Sequence, residues 1–406
     1  MNKRSNIQQY RKAQLRLLGE KLNSLSSLVA LICLMVVTAC SSGDVPGEET
    51  SNQKPAEAAI SFNSGLTDGE DISRGDGLEE QTTSFKVWAY KNLSYTSGSY
   101  GDLQTVIDGY AVNYVANSAN TTTSNTHNWE YVGQGTDQTI KYWDWSAKAY
   151  RFFGVAGGAT ANYGAYGKTG ENGPYNITLT VDASSDDGIA ATPYYSHLWF
   201  STGNTANYPD KQFGKPVQLE FLKPIARVRF MFTFVPELTD LGIDRTKLSG
   251  ISFKPTLMPG DVEQKNIANR GSITVSYPLT GTATKESWTS EPSGYLPNFF
   301  EIDYYEPNPD HTPSNSNATT YPNTPHNWYN VLPRNSQGSY TLTTTVVGGD
   351  PKTCVVPAEY MSWEPGYQYT YIFKITETGG ITLDAIQVAI NDWTIKEYVE
   401  HPVFNW

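Results

Sequence analysis

Apolar and polar side chains alternate in short runs along most of this chain, and that period of two is what most restricts its fold. Within residues 175–181, Ile177, Leu179 and Val181 fall on one side and Thr178 and Thr180 on the other. A strand sends successive side chains to opposite faces, so this pattern reads as a half-buried strand. Val217, Leu219 and Phe221 alternate in the same way with Gln218 and Glu220, and Arg227-Val228-Arg229-Phe230 continues the alternation with its arginines outward. Further strand candidates are residues 59–62, 85–90, 129–132, 139–145, 149–155, 250–253, 272–277, 340–347, 367–375 and 381–390. Turn chemistry such as Gly157-Gly158 and Asn172-Gly173-Pro174 separates them. No amphipathic helix interrupts the series. The expectation is an all-β chain built of β-sandwich modules. Its 27 tyrosines and 10 tryptophans suit half-buried pleats.

The N-terminus carries an address. Six basic residues, Lys3 to Lys21, precede an uncharged apolar run over 28–37 that is too short to span a bilayer. Val37-Thr38-Ala39-Cys40 then looks like the lipobox of a bacterial lipoprotein signal peptide. On this reading residues 1–39 are removed and Cys40 becomes the lipid-bearing first residue. Ser41, in place of a retaining aspartate, favours the outer membrane, and Asp44, Glu48 and Glu49 resemble an acidic surface-export tag. Residues 40–56 have no apolar period and read as a flexible tether. A second unit is expected to begin near Gly214-Lys215-Pro216, giving an N-terminal domain over 57–215 and a C-terminal domain over 216–406.

Charge narrows the choice of partner. The chain has 29 basic and 41 acidic side chains. Removing the leader's six bases and one acid leaves a net charge of −17. That disfavours nucleic acid and anionic lipid, which need a basic footprint. Beyond the leader and Cys40, Cys354 is the remaining cysteine, and its setting Thr353-Cys354-Val355-Val356 reads as core.

Catalytic signatures are missing from the sequence. It contains no HExxH, GxSxG or CxxC, and its five histidines lack ligand spacing. Gly167-Lys168-Thr169 lacks the glycine a phosphate loop requires five residues earlier, where Asn162 stands. Asp186-Asp187-Gly188 lacks the spaced oxygens of a calcium loop and reads as a solvated turn. Neither metal nor cofactor is expected, and the chain reads as non-enzymatic. Arg74-Gly75-Asp76 spells a tripeptide that some integrins bind, within an acidic loop, although three-letter matches arise by chance. Trp143 and Trp145 read as core residues of a strand, whereas Trp288 and Trp328 fall in expected loops and are candidates for stacking on sugars.

Five stretches together resemble the fimbrillin family of Bacteroidetes, the subunits and anchors of lipoprotein-derived pili. They are the lipobox at Cys40; Ile60-Ser61-Phe62 with Ser73-Arg74 and the run 85–90; Tyr150-Arg151-Phe152-Phe153-Gly154-Val155; Val217-Gln218-Leu219-Glu220-Phe221 leading to Ala226-Arg227-Val228-Arg229-Phe230; and Trp363-Glu364-Pro365-Gly366-Tyr367, ending near Asn391-Asp392-Trp393. Lys223-Pro224 departs from the histidine often found there in the family. The resemblance implies two tandem transthyretin-like β-sandwich domains that assemble by strand donation. An arginine-specific protease would cut at Arg74 and release the first strand. The apolar tail residues Ile395, Tyr398, Val403 and Phe404 would form a donor segment, or dock on their own domain. The implied partners are other pilus subunits, the outer membrane through the Cys40 lipid, and a host or bacterial surface ligand. A surface glycan-binding lipoprotein of a polysaccharide-uptake system is the alternative.

Overall fold

The computed structural model describes residues 57–66, 78–116, 121–204, 206–207, 211–234, 248–256, 267–296, 303–304, 328–335, 338–346, 350–375, 380–390 and 402–403. The expectation of an all-β chain holds. The described helices are short pieces, among them Leu78–Gln81 and Asp186–Ala191. No helix among the described residues is long and apolar enough to cross a membrane.

The described strands, numbered along the chain, form four sheets. The largest runs in the order β1 (Phe62–Leu66), β10 (Val217–Leu222), β8 (Tyr194–Ser196), β5 (Ala149–Ala156), β2 (Ser84–Thr96), β3 (Ser99–Tyr114) and β4 (Trp129–Glu130), with β9 (Trp199–Ser201) also paired to β5. A second sheet has the order β14 (Ser287–Tyr295), β13 (Ala268–Tyr277), β7 (Tyr175–Asp182) and β6 (Tyr163–Lys168). A third comprises β15 (Asp303–Tyr304), β11 (Ala226–Phe234), β19 (Tyr367–Ile375), β20 (Ile381–Ile390) and β21 (Pro402–Val403), with β16 (Tyr329–Val331) on β11. The fourth is β12 (Leu248–Pro255), β17 (Tyr340–Val346) and β18 (Lys352–Val356).

Strand β5 lies inside the largest sheet and is buried on both faces. Tyr150 and Phe152 point into one core with Phe85, Val87 and Phe221, while Phe153 and Val155 point into another with Ile177, Leu179, Ile273 and Val275. The second core therefore joins the largest sheet to the second one. Buried Arg151 adds a polar clamp there. Its guanidinium bonds Asn92, donates to the Gly281 carbonyl at 3.0 Å and lies 4.5 Å from the centre of the Phe200 ring. The third and fourth sheets enclose a core of their own, in which Phe253 meets Phe230 at 4.5 Å and Tyr340 at 5.2 Å.

The junction expected between 215 and 216 is not a break between sheets. The chain from Pro55 onward is one compact unit. Strand β10 belongs to the largest sheet, and β7 pairs along its whole length with β13 from the later half. Alternation marks a strand's two faces but carries no information about its partner, so a shift in composition at a Gly-Lys-Pro turn does not locate a domain edge.

Several local readings change as well. Residues 139–145 are not a strand; an isolated bridge, Ala59 to Tyr142, is their share of sheet structure. Asp144 turns the chain by accepting from Ser146 N at 3.0 Å, so Trp143 is buried while Trp145 is 44% exposed. Arg229 does not point to solvent: its guanidinium is buried 4.3 Å from the Trp328 ring. Asp186-Asp187-Gly188 opens a short helix capped by Ser185, and Gly167-Lys168 ends β6. Strand β3 escapes a reading by alternation because Asp102 and Gly109, at φ +51° and +65°, interrupt its period. Cys354 is buried, as its apolar setting implies. The Gly157-Gly158 turn holds; a Cβ on Gly158, at φ +71°, would lie 2.7 Å from the Ala191 carbonyl oxygen.

Lys223, the departure noted above, is buried. Its ammonium donates to the carbonyls of Ile189 (2.6 Å) and Thr192 (2.7 Å) and sits 4.4 Å from the Tyr194 ring centre. It therefore closes the C-terminal end of the Asp186–Ala191 helix, where carbonyls lack intrahelical partners.

Candidate functional site: the groove of the first strand

The first strand is held at the edge of the largest sheet by two different partners. Upstream, Ile60 N donates to the Lys141 carbonyl at 2.8 Å and Trp143 N to the Ala58 carbonyl at 3.0 Å, an antiparallel bridge. At Ser61 the chain changes partner, and Val217 N donates to its carbonyl at 2.8 Å. From Phe62 to Leu66 it runs parallel to β10, with Phe62 opposite Val217 and Ser64 opposite Leu219.

An edge strand usually leaves one face to solvent, but this one is buried. Ile60, Phe62 and Ser64 have no exposed surface, and Ser61 is 4% exposed. The Phe62 ring meets Phe85 at 6.0 Å, Tyr131 at 5.7 Å and Phe152 at 6.1 Å, each edge-on. Such pairs contribute about 0.5–1.5 kcal/mol beyond the area they bury. Ser64 is less well accommodated, because its hydroxyl oxygen is buried with no hydrogen-bond partner among the described residues.

Tyr131 organises the groove floor. Its hydroxyl donates to the Ile60 carbonyl at 3.0 Å and accepts from Lys141 N at 3.0 Å, so one oxygen ties both sides of the bridge. Burial pushes this phenol up to about 12. Glu130 fixes the loop that presents it. One carboxylate oxygen accepts from Tyr131 N, Val132 N and Ser124 Oγ, each at 2.9 Å, and the other from Thr122 N at 2.9 Å. Burial alone would raise the Glu130 carboxyl. The donors of Thr122, Val132 and Ser124 outweigh it and hold the group below its ordinary range. Neither role has a sequence signature, since the run 129–132 reads only as a strand candidate.

Among the sequence candidates, Cys40, Arg74, Ile395, Tyr398 and Phe404 lie outside the described residues, as does the tripeptide at Arg74. Val403 is in β21, whose two residues pair antiparallel with Ile386 and Gln387 of β20 in the same chain. Trp288 is not in a loop. It stands in β14 opposite Val275, half-buried against the core shared by the first two sheets. Trp328 precedes β16, half-buried against Arg229, with its indole nitrogen enclosed. Among the described residues the exposed aromatic rings are Tyr95, Tyr114, Tyr142, Trp145 and Tyr166.

A family profile described as fimbrillin-like matches residues 74–393. No curated protein matches the sequence. Among solved structures, a fimbrial protein from Bacteroides vulgatus is 12% identical; the alignment covers 83% of this chain and all of that one, at a TM-score of 0.35. A fimbrial assembly protein from Parabacteroides distasonis is 9% identical over 82% of this chain and 96% of that one, at a TM-score of 0.29.

Proposed function

The chain belongs to the fimbrillin-like family, and from that premise we propose that it is a non-catalytic structural component of a cell-surface fimbrium, delivered as a lipoprotein and assembled by strand donation. The observation that carries this reading is the first strand. It is an edge element whose Ile60 and Phe62 side chains are fully buried. Removing it would uncover both an unpaired backbone edge and an apolar groove. A strand from another subunit would restore both, with ladder hydrogen bonds providing affinity and side-chain pockets setting register. Arg74 follows this strand in sequence and precedes β2, which suits a cut that frees everything upstream, lipid included. The tail residues Ile395, Tyr398, Val403 and Phe404 are the candidate donor segment, and the pairing of β21 to β20 represents the tail docked at home.

Treatment of surface-expressed protein with an arginine-specific protease should yield a new N-terminus at Gly75 and polymer ladders on gels. Arg74→Ala should abolish both; unchanged processing and assembly in that variant would remove the strand-donation reading. Cys40→Ala should move the protein from the membrane fraction to the soluble one, and continued attachment would overturn the lipid anchor. Sugar binding as the main role would need open ring faces, and Trp288 and Trp328 use much of theirs within the fold.

A further inference from the structure

The groove occupied by the first strand distinguishes three positions by size and chemistry. The position of Ile60 takes an aliphatic side chain beneath the bridge to residues 141–143. The position of Phe62 is a closed aromatic box formed by Phe85, Tyr131 and Phe152. The position of Ser64 admits a small side chain, and it offers no hydrogen-bond partner to the hydroxyl it now holds. Direction is set as well, because the occupant runs antiparallel to 141–143 and parallel to β10, changing partner between the first two pockets.

Resting on the strand-donation reading above, we propose that this groove selects a donor of the form aliphatic–x–aromatic–x–small and takes it from a different subunit, not from a second copy of this chain. The tail beyond β20 lacks that pattern. Its aliphatic residues are Ile395, Val399 and Val403, and two positions after them stand Glu397, His401 and Asn405. Each of the three would bring a charged or polar side chain to the aromatic box, where burial without a partner is costly. Read backward, Asn391-Asp392-Trp393-Thr394-Ile395 has an aromatic residue between a polar and an aliphatic one. That direction reverses both hydrogen-bond ladders, and it forces an indole into a site that closes around a phenyl ring.

The test uses the mature chain cut by an arginine-specific protease and a fluorescent peptide of residues 57–66, read by anisotropy. The native peptide should rebind. Ile60→Ser and Phe62→Ser in the peptide should each weaken it at least about tenfold, as loss of a buried apolar side chain implies. Ser64→Ala should bind as tightly or more so, because it removes a buried hydroxyl with no partner, and Ser64→Phe should not bind. A peptide of residues 391–406 should fail to displace the native one at about a hundredfold excess, given the polar burial it would impose. Displacement by that tail at concentrations comparable to the native peptide would overturn the choice of a different subunit. Equal binding of all the peptide variants would overturn the three-pocket selection. If the cut chain releases its first strand and rebinds no peptide at all, strand donation itself fails.

Discussion

Lys223 shows at the level of one residue how a buried cation can serve a fold and still leave a pH signature. Burial pushes its ammonium from 10.5 down to about 8. Between these values the unfolded chain holds a proton that the folded chain has lost, so stability rises with pH across that window. The contribution is fully present above about 10.5 and is lost as the pH falls through about 8. In thermal denaturation against pH, the wild-type protein should gain on a Lys223→Met variant between pH 8 and 10.5, by about 3 kcal/mol at most. Wild type losing ground to the variant over that window would mean that the carbonyls of Ile189 and Thr192 favour the charged form more strongly than burial opposes it. The role of Lys223 was invisible in the sequence, where it stood only as a departure from a family habit. Its partners lie 31 and 34 positions away and meet it only after folding.

At the scale of the element, the first strand is the decisive piece. Its few residues are enclosed by β10, the 141–143 segment and the loop carrying Glu130 and Tyr131. Phe62→Ala should therefore destabilise the protein by about 3–5 kcal/mol, the range for emptying a buried aromatic site. Hydrogen exchange should show the loss concentrated at Val217, whose amide donates into this strand at Ser61, and at Ile60, whose amide ties the strand to Lys141. Global destabilisation with those amides still protected would show that the strand is not a separable unit. Alternation located this strand and most of the others. It missed β3, where two residues with positive φ break the period, together with β6, β14, β18 and several shorter strands, and it overextended at 139–145, where Asp144 bends the chain.

On the scale of the whole molecule, the pairing of β7 with β13 binds the two halves of the chain into one unit. Ile177, Leu179 and Val181 are buried against residues that come from beyond position 216 as well as from β2 and β5. Glu286 ties the same halves together, accepting from Leu198 N at 2.8 Å and meeting His197 at 2.7 Å. A fragment of residues 57–215, produced alone, should therefore lack β10 and the β13–β14 half of the second sheet and fail to give a cooperative unfolding transition. A sharp transition and dispersed amide spectrum from that fragment would restore the boundary expected near 215.

Sequence by itself determined that this chain is built of strands and, for several of them such as β7 and β10, which residues face inward; at its N-terminus it carries the pattern expected of an exported lipoprotein. Those are local properties: a period of two, a turn, a basic segment followed by an apolar run and a cysteine. Only the tertiary structure decided which strands meet. Parallel pairing of β1 with β10, the β7–β13 union across the expected junction, and the closed box around Phe62 all depend on contacts between distant segments. Alternation specifies a face and leaves the partner open, because any apolar face can cover any other until shape, register and burial are settled together.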